Sequence, residues 1–341
     1  LWSSICYTAI NIPYGSMASV ISPDIRDRAS LSTFRSVGAS LAGVVTGVLV
    51  PLIVYQTDEA GNQVVLPERF TLTAVVFGVL SILCYALCYF LCRERVQLVK
   101  EKKERQTTGQ LLQSLGRSKS LKALVGAALV LLLASLLGQT MNNYLFLDYF
   151  RNAKAMAAVN FVSIGGSILL APFVSGIARR FGKKEAGAFG MLCAGILYLL
   201  LFVLRIKSIP VFMVLLFLAT LGVGLFNLVI WAFITDIIDE QEVKTGSRED
   251  ATVYAVYSFA RKAGQALAGG VGGFVLTAIG YVSEAAVQSE AVSQRIYTAA
   301  TLIPGICYLL VFVIMQFFYP LDKAKVEQNT AILHEKRAED K

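Results

Sequence analysis

Lys262 stands inside an apolar stretch, with Arg261 before it and Ala263-Gly264 after it. Counted from Asp250, it lies about 18 Å along a helix, half a bilayer deep. A cation there costs roughly 2.5–3.5 kcal/mol on insertion scales, so such a residue faces a watery cavity or a partner rather than lipid. Its three donors suit hydroxyls or a carboxylate; the plainer reading is a side chain snorkelling to an interface. Tyr254, Ser258 and Lys262 share one helical face, Tyr257 lies beside it, and Arg261 points about 100° away. In the preceding apolar run Asn227, Trp231 and Thr235 share a face. There an indole can stack on the apolar side of a sugar ring while an amide reads its hydroxyls. Near the start Tyr7, Asn11 and Gly15 share a face, Thr8 adjoins Asn11, and Pro13 frees backbone groups that a polar site can use. Gln139, Asn142 and Asn143 are further polar candidates, whose ordinary use is hydrogen bonding between helices.

A second kind of constellation is charged. Asp24, Arg26, Asp27 and Arg28 follow one apolar run; Asp236, Asp239, Glu242, Lys244 and Arg248 follow another. Opposite charges at helix ends can form ion pairs that close one side of a transporter in one state and break in the other. The competing reading is solvated loop charge.

The elements that carry these residues belong in a membrane. The chain has 341 residues, 56% hydrophobic and 16% charged, with mean hydropathy +0.63. A soluble domain carries about 25% charged residues. Apolar runs long enough to span occur at about 1–22, 32–54, 70–92, 121–147, 156–178, 185–204, 210–235, 252–280 and 296–319, nine in all. Segment 93–122 is dense in Lys and Arg and is therefore cytoplasmic. Alternation then places 23–30, 179–184, 236–251 and the tail from Tyr319 on the same side, and these inner segments hold 22 of the 31 basic residues. The opposite loops hold Arg69, Arg151, Lys154, Arg205, Lys207 and Arg295. The net charge of +8 thus follows topology rather than one basic face, which argues against a nucleic-acid partner.

Other chemistries lack their residues. The one histidine, His334, lies in the polar tail, and no GxxxxGK[ST], HExxH, Ser–His or Cys–His arrangement exists. No enzyme, metal site or cofactor is expected. Cys84, Cys88 and Cys92 share a face and read as small packing residues.

The organisation reads as follows: 1–92 as three helices of one half, 93–120 as a cytoplasmic linker, 121–319 as a six-helix half and 320–341 as a cytoplasmic tail holding a short surface helix. Nine spans split three and six by a long loop suggest two six-span halves lacking the first three helices. An internal repeat supports this. Arg35-SVGASLAGVVTG-Val48 aligns without a gap with Arg261-KAGQALAGGVGG-Phe274, and each follows a helix ending in Asp-x-x-Asp. The loop 55–69 reads as a turn with no chemistry.

WAFITDIIDEQEVKTGSRED at 231–250, YTAINIPYGS at 7–16, Asp24-IRDR and YPLDKAK at 319–325 resemble the glycoside–pentoside–hexuronide:cation symporters of the major facilitator superfamily. SGIARRFGKK is a loose version of the general facilitator loop motif, with Arg179 where an Asp is usual. The resemblance implies an all-α, polytopic major facilitator fold and alternating access of a sugar coupled to Na⁺ or H⁺. It places Tyr7, Asn11 and Gly15 at fourth-helix sugar positions, with Thr8 and Asn11 toward the coupling cation. Arg35 corresponds to the fifth-helix sugar-binding arginine. Asn227, Tyr257, Ser258 and Lys262 fall in the stretches that line the cavity, and Trp231 joins them by its spacing from Asn227. Asp236, Asp239, Glu242 and Arg248 correspond to the inner gate, and the repeated cluster with Asp24, Asp27 and Arg28 is its expected other half. Asn11 and Gly15 stand where melibiose-type members have Asp and Trp, which favours H⁺ or an acidic sugar. The family's paired cation-binding carboxylates lie on its second helix, before Leu1.

The expectation is a monomeric, multi-pass symporter of the inner (plasma) membrane, its C-terminus cytoplasmic, its partners a small sugar and membrane lipid. Two other readings stay open: a lysolipid or other amphiphile transporter on the same fold, and a truncated product that does not transport.

Overall fold

A computed structural model describes residues 50–57, 63–92, 118–152, 180–246, 250–282 and 288–339, with scattered positions between 10 and 46, at 116 and between 155 and 178. The chain divides into two compact units, Leu1–Arg105 and Gln106–Lys341.

In the first unit a short helix, α1 (Val50–Val54), leads into an antiparallel hairpin of β1 (Tyr55–Thr57) and β2 (Gln63–Val65), with Gln56 opposite Val64. The hairpin occupies the loop 55–69, where the sequence predicts only a turn. Helix α2 (Pro67–Leu91) starts on a proline, whose missing N–H costs nothing in a first turn. Thr71 and Thr73 donate their hydroxyls to the carbonyls of Pro67 and Arg69, so neither leaves a bare polar group in an apolar helix. Helix α2 buries none of its own residues within this unit.

The second unit is a bundle of helices. They are α3 (Lys119–Tyr144), continued by a π turn (Leu145–Tyr149); α4 (Lys183–Leu204); α5 (Ile209–Thr245); α6 (Asp250–Ile279); and α7 (Glu290–Val313), continued by a π turn (Ile314–Phe318). Helix α8 (Lys323–Glu339) follows as the polar tail helix the sequence implied. Helix α3 packs along α6 and α7, and α4 packs along α5 and α7. Helices α3 and α4 begin at the end where α5 finishes. Lipid offers no hydrophobic drive between helices, so close backbone approach has to supply dispersion contacts. Gly190 and Gly222 show this at the α4–α5 crossing. A Cβ on Gly190 would stand 2.7 Å from the Gly222 carbonyl oxygen, so neither position accepts a side chain in place. One polar group inside the bundle is fully paired: the Tyr297 hydroxyl donates to the Leu201 carbonyl at 2.8 Å and accepts from the Ile206 N–H at 3.0 Å.

Among the described residues, five helices are long and apolar enough to cross a membrane: α2, α3 with its π turn, α4, α5 and α7 with its π turn. Helix α6 has the length but carries Arg261 and Lys262 and is rich in glycine. The expected spans at 1–22, 32–54 and 156–178 lie largely outside the described residues. One boundary differs clearly. The segment from Asp236, read as a charged loop, continues α5 as helix to Thr245, where Gly246 ends it at φ 71°. At about 55 Å, α5 outruns a hydrocarbon core of about 30 Å, so its last turns can carry charge.

Candidate functional site

Two clusters concentrate the polar chemistry of the second unit. The first lies where α3 and α4 begin and α5 ends. Asp236 is 5% exposed and accepts from Lys183 Nζ at 2.5 Å; the lysine side chain is 34% exposed. One turn further on α5, Glu240 accepts from Lys244 Nζ at 2.5 Å and from the Ser120 hydroxyl at the start of α3. Tyr319, just past α7, packs edge-on against Phe233, and its hydroxyl has no partner. Burial pushes that hydroxyl well above the ordinary tyrosine range, and the nearby carboxylates of Asp236 and Glu240 push it the same way. Gly182, in the left-handed region at φ 98°, turns the chain into α4; a Cβ there would collide with the Glu185 carboxylate. Ion pairs and a hydroxyl thus tie three helix ends at one level.

The second cluster lies between α5 and α6. Asn227, Trp231 and Thr235 are exposed along one stripe of α5, and Tyr254, Ser258 and Lys262 along one stripe of α6. The stripes meet where Trp231 stacks on Tyr254, ring centroids 5.8 Å apart and planes 16° from parallel. Tyr257, buried, meets Trp231 edge-on at 5.9 Å. The Arg261 guanidinium lies 5.7 Å from the Trp231 ring centroid, beside the Tyr257 hydroxyl. Cation–π attraction is worth about 0.5–1 kcal/mol when exposed and about 2 when dry. Among the described residues it keeps an always-charged group inside apolar helices without a carboxylate. Trp231 and Tyr254 remain 43% and 41% exposed, so the platform is open on one side. Asn227 donates its amide to the Val223 carbonyl at 3.1 Å.

Sequence spacing found both stripes. It left Arg261 unplaced, because a helical wheel shows only that the residue points away from Lys262; the tryptophan it meets lies on another helix. Lys183, Ser120 and Glu240 went unnoticed. The Glu240–Lys244 spacing was readable, but the Lys183–Asp236 pairing spans 53 residues and carries no local signal. Asp239 and Glu242 are half-buried on the last turns of α5. Gln139 and Asn143 are exposed, whereas Asn142 is half-buried and hydrogen-bonds the buried Tyr198. Tyr7, Thr8, Asn11, Gly15, Asp24, Asp27, Arg28, Arg35 and Arg248 lie outside the described residues.

The sequence profile of the MFS/sugar transport protein family matches residues 1–323. This chain belongs to that family. An uncharacterized symporter of Bacillus subtilis (strain 168) is 32% identical over 338 residues, covering 98% of this chain and 71% of its own length. A glucuronide carrier protein homolog of Escherichia coli (strain K12) is 31% identical over 327 residues, covering 95% and 69%. An isoprimeverose transporter of Lactiplantibacillus pentosus is 26% identical over 296 residues, covering 85% and 60%. The protein is accordingly a multi-pass membrane transporter of the major facilitator type and not an enzyme.

Proposed function

We propose that this protein is a secondary active symporter that moves a glycoside, pentoside or hexuronide with H⁺ or Na⁺ by alternating access. The observation that carries the reading is the Trp231–Tyr254 stack with Arg261 beside it, a half-open aromatic platform with a fixed cation set in apolar helices. Aromatic faces take the apolar side of a sugar, and the guanidinium and the Lys262 ammonium suit hydroxyls or an acid group. The similarity to a glucuronide carrier homolog supports a sugar bearing a carboxylate. In this reading Asn227, Trp231, Tyr257, Ser258 and Lys262, together with Tyr7, Asn11, Gly15 and Arg35, serve the sugar. Thr8 and Asn11 serve the coupling ion.

Asp236, Asp239, Glu242 and Arg248, with Asp24, Asp27 and Arg28, act as the inner gate. Asp236 also anchors α5 to Lys183, so the gate residue is held in place within its own half. The test is equilibrium binding of a labelled hexuronide to the Arg261→Ala and Lys262→Ala variants. Affinity is expected to fall at least tenfold in each; unchanged affinity in both sinks the assignment.

A further inference from the structure

The end of the bundle opposite Lys119 holds a cleft of about 410 Å³ that the central site does not use. Ligand pockets run from roughly 300 to 1,000 Å³, so a monosaccharide has room there. Three elements build it: the π turn that ends α3, the link between α4 and α5, and the start of α7. The π turn matters, because such turns re-aim side chains and recur at functional sites. Here it presents Asp148 to the cleft, followed by Tyr149 and Phe150. Tyr281 holds the Asp148 carboxyl by a hydrogen bond, yet the buried Oδ2 has no partner. A bare buried carboxylate oxygen is costly and asks for a donor. Lys207, Arg151 and Glu290 also line the cleft, and Arg151 takes the left-handed backbone region at φ 52°.

Carboxylates of the Asp148 and Glu290 kind accept from hydroxyls, Lys207 and Arg151 donate, and the neighbouring rings offer apolar faces. Charges of both signs beside aromatic rings do not suit a bare metal ion, and among the described residues no cluster of three or more acidic, histidine or cysteine groups exists. We propose that this cleft is a second carbohydrate subsite, on the side opposite the inner cluster, where a sugar docks before it reaches the central platform. The proposal rests on the sugar-transport reading above. The Asp148 carboxyl accepts from a ring hydroxyl, and Lys207 favours sugars with an acid group. The subsite lies wholly within the second unit, so it can be assayed on the chain as it stands.

The experiment is equilibrium binding of radiolabelled methyl glucuronide to the purified full chain in detergent, with stoichiometry read from saturation. Wild type is expected to bind two per chain. Asp148→Asn removes one class of site or weakens it at least tenfold, and Trp231→Ala does the same to the other. Lys207→Met, an exposed change that leaves folding intact, weakens the Asp148-dependent class about threefold for methyl glucuronide and not for neutral methyl glucoside. A single site lost only in Trp231→Ala overturns the subsite and leaves the proposed function standing. A single site lost only in Asp148→Asn supports the subsite and overturns the central assignment. No binding of either glycoside overturns both.

Discussion

Replacing Lys183 by Met should destabilise the second unit because it strands a buried charge. Asp236 is 5% exposed and its ion-pair partner is the Lys183 ammonium at 2.5 Å. Removing one member of a fully buried pair costs about 3–5 kcal/mol, since the remaining charge has neither water nor partner. Lys183 is 34% exposed, so solvent already screens its side of the pair, and the expected cost falls to about 2 kcal/mol. For a domain of this size that is about 4–8 °C in melting temperature. Asp236→Asn removes the charge and leaves a lysine that can turn to water, so its cost should be nearer 1 kcal/mol. The double variant should be no worse than Lys183→Met alone, which gives a coupling of about 1 kcal/mol. Thermal unfolding of the four proteins in one detergent reads the cycle. Shifts that simply add would refute the pairing as an energetic unit and reduce it to two surface charges.

Tyr319→Phe should leave stability unchanged or raise it by up to about 1 kcal/mol, because the hydroxyl it deletes is buried without a partner; a clear loss in the same unfolding assay would show that the hydroxyl is satisfied. Gly190→Ala should destabilise by about 1–3 kcal/mol, because its methyl meets the Gly222 carbonyl, whereas Gly126→Ala, with nothing within 4 Å, should be silent. Trp231→Ala should weaken sugar binding roughly tenfold, about 1.4 kcal/mol, while Trp231→Tyr retains most of the affinity; equal losses would mean that stacking is not the contribution. Arg261→Lys should fall between wild type and Arg261→Ala, because an ammonium keeps the charge but loses the planar stack on the indole, and titration with a labelled hexuronide measures it.

The sequence made the helices legible because their signal is additive over twenty residues. The runs at 70–92, 185–204 and 252–280 agree with Pro67–Leu91, Lys183–Leu204 and Asp250–Ile279 to within three residues at each end. It misjudged the end of α5, where charged residues suggested a loop. Asp236 to Lys244 are good helix neighbours, and with Ser120 and Lys183 as partners the charge is satisfied without leaving the helix. The two polar stripes of α5 and α6 were legible because period-four spacing fixes a face. Arg261 was not, since its place depends on where Trp231 of a neighbouring helix arrives. The cleft at Asp148 was invisible for the same reason: Asp148, Lys207 and Glu290 are separated by tens of residues and meet only when the end of α3, the link before α5 and the start of α7 come together.

Uptake of a labelled hexuronide into proteoliposomes, with and without an imposed H⁺ or Na⁺ gradient, measures sugar–cation symport most directly. Gradient-driven accumulation is predicted, with one of the two ions supporting it. Accumulation should fall at least tenfold in Arg261→Ala and Trp231→Ala. Uptake that ignores both gradients, or that neither variant changes, would contradict it.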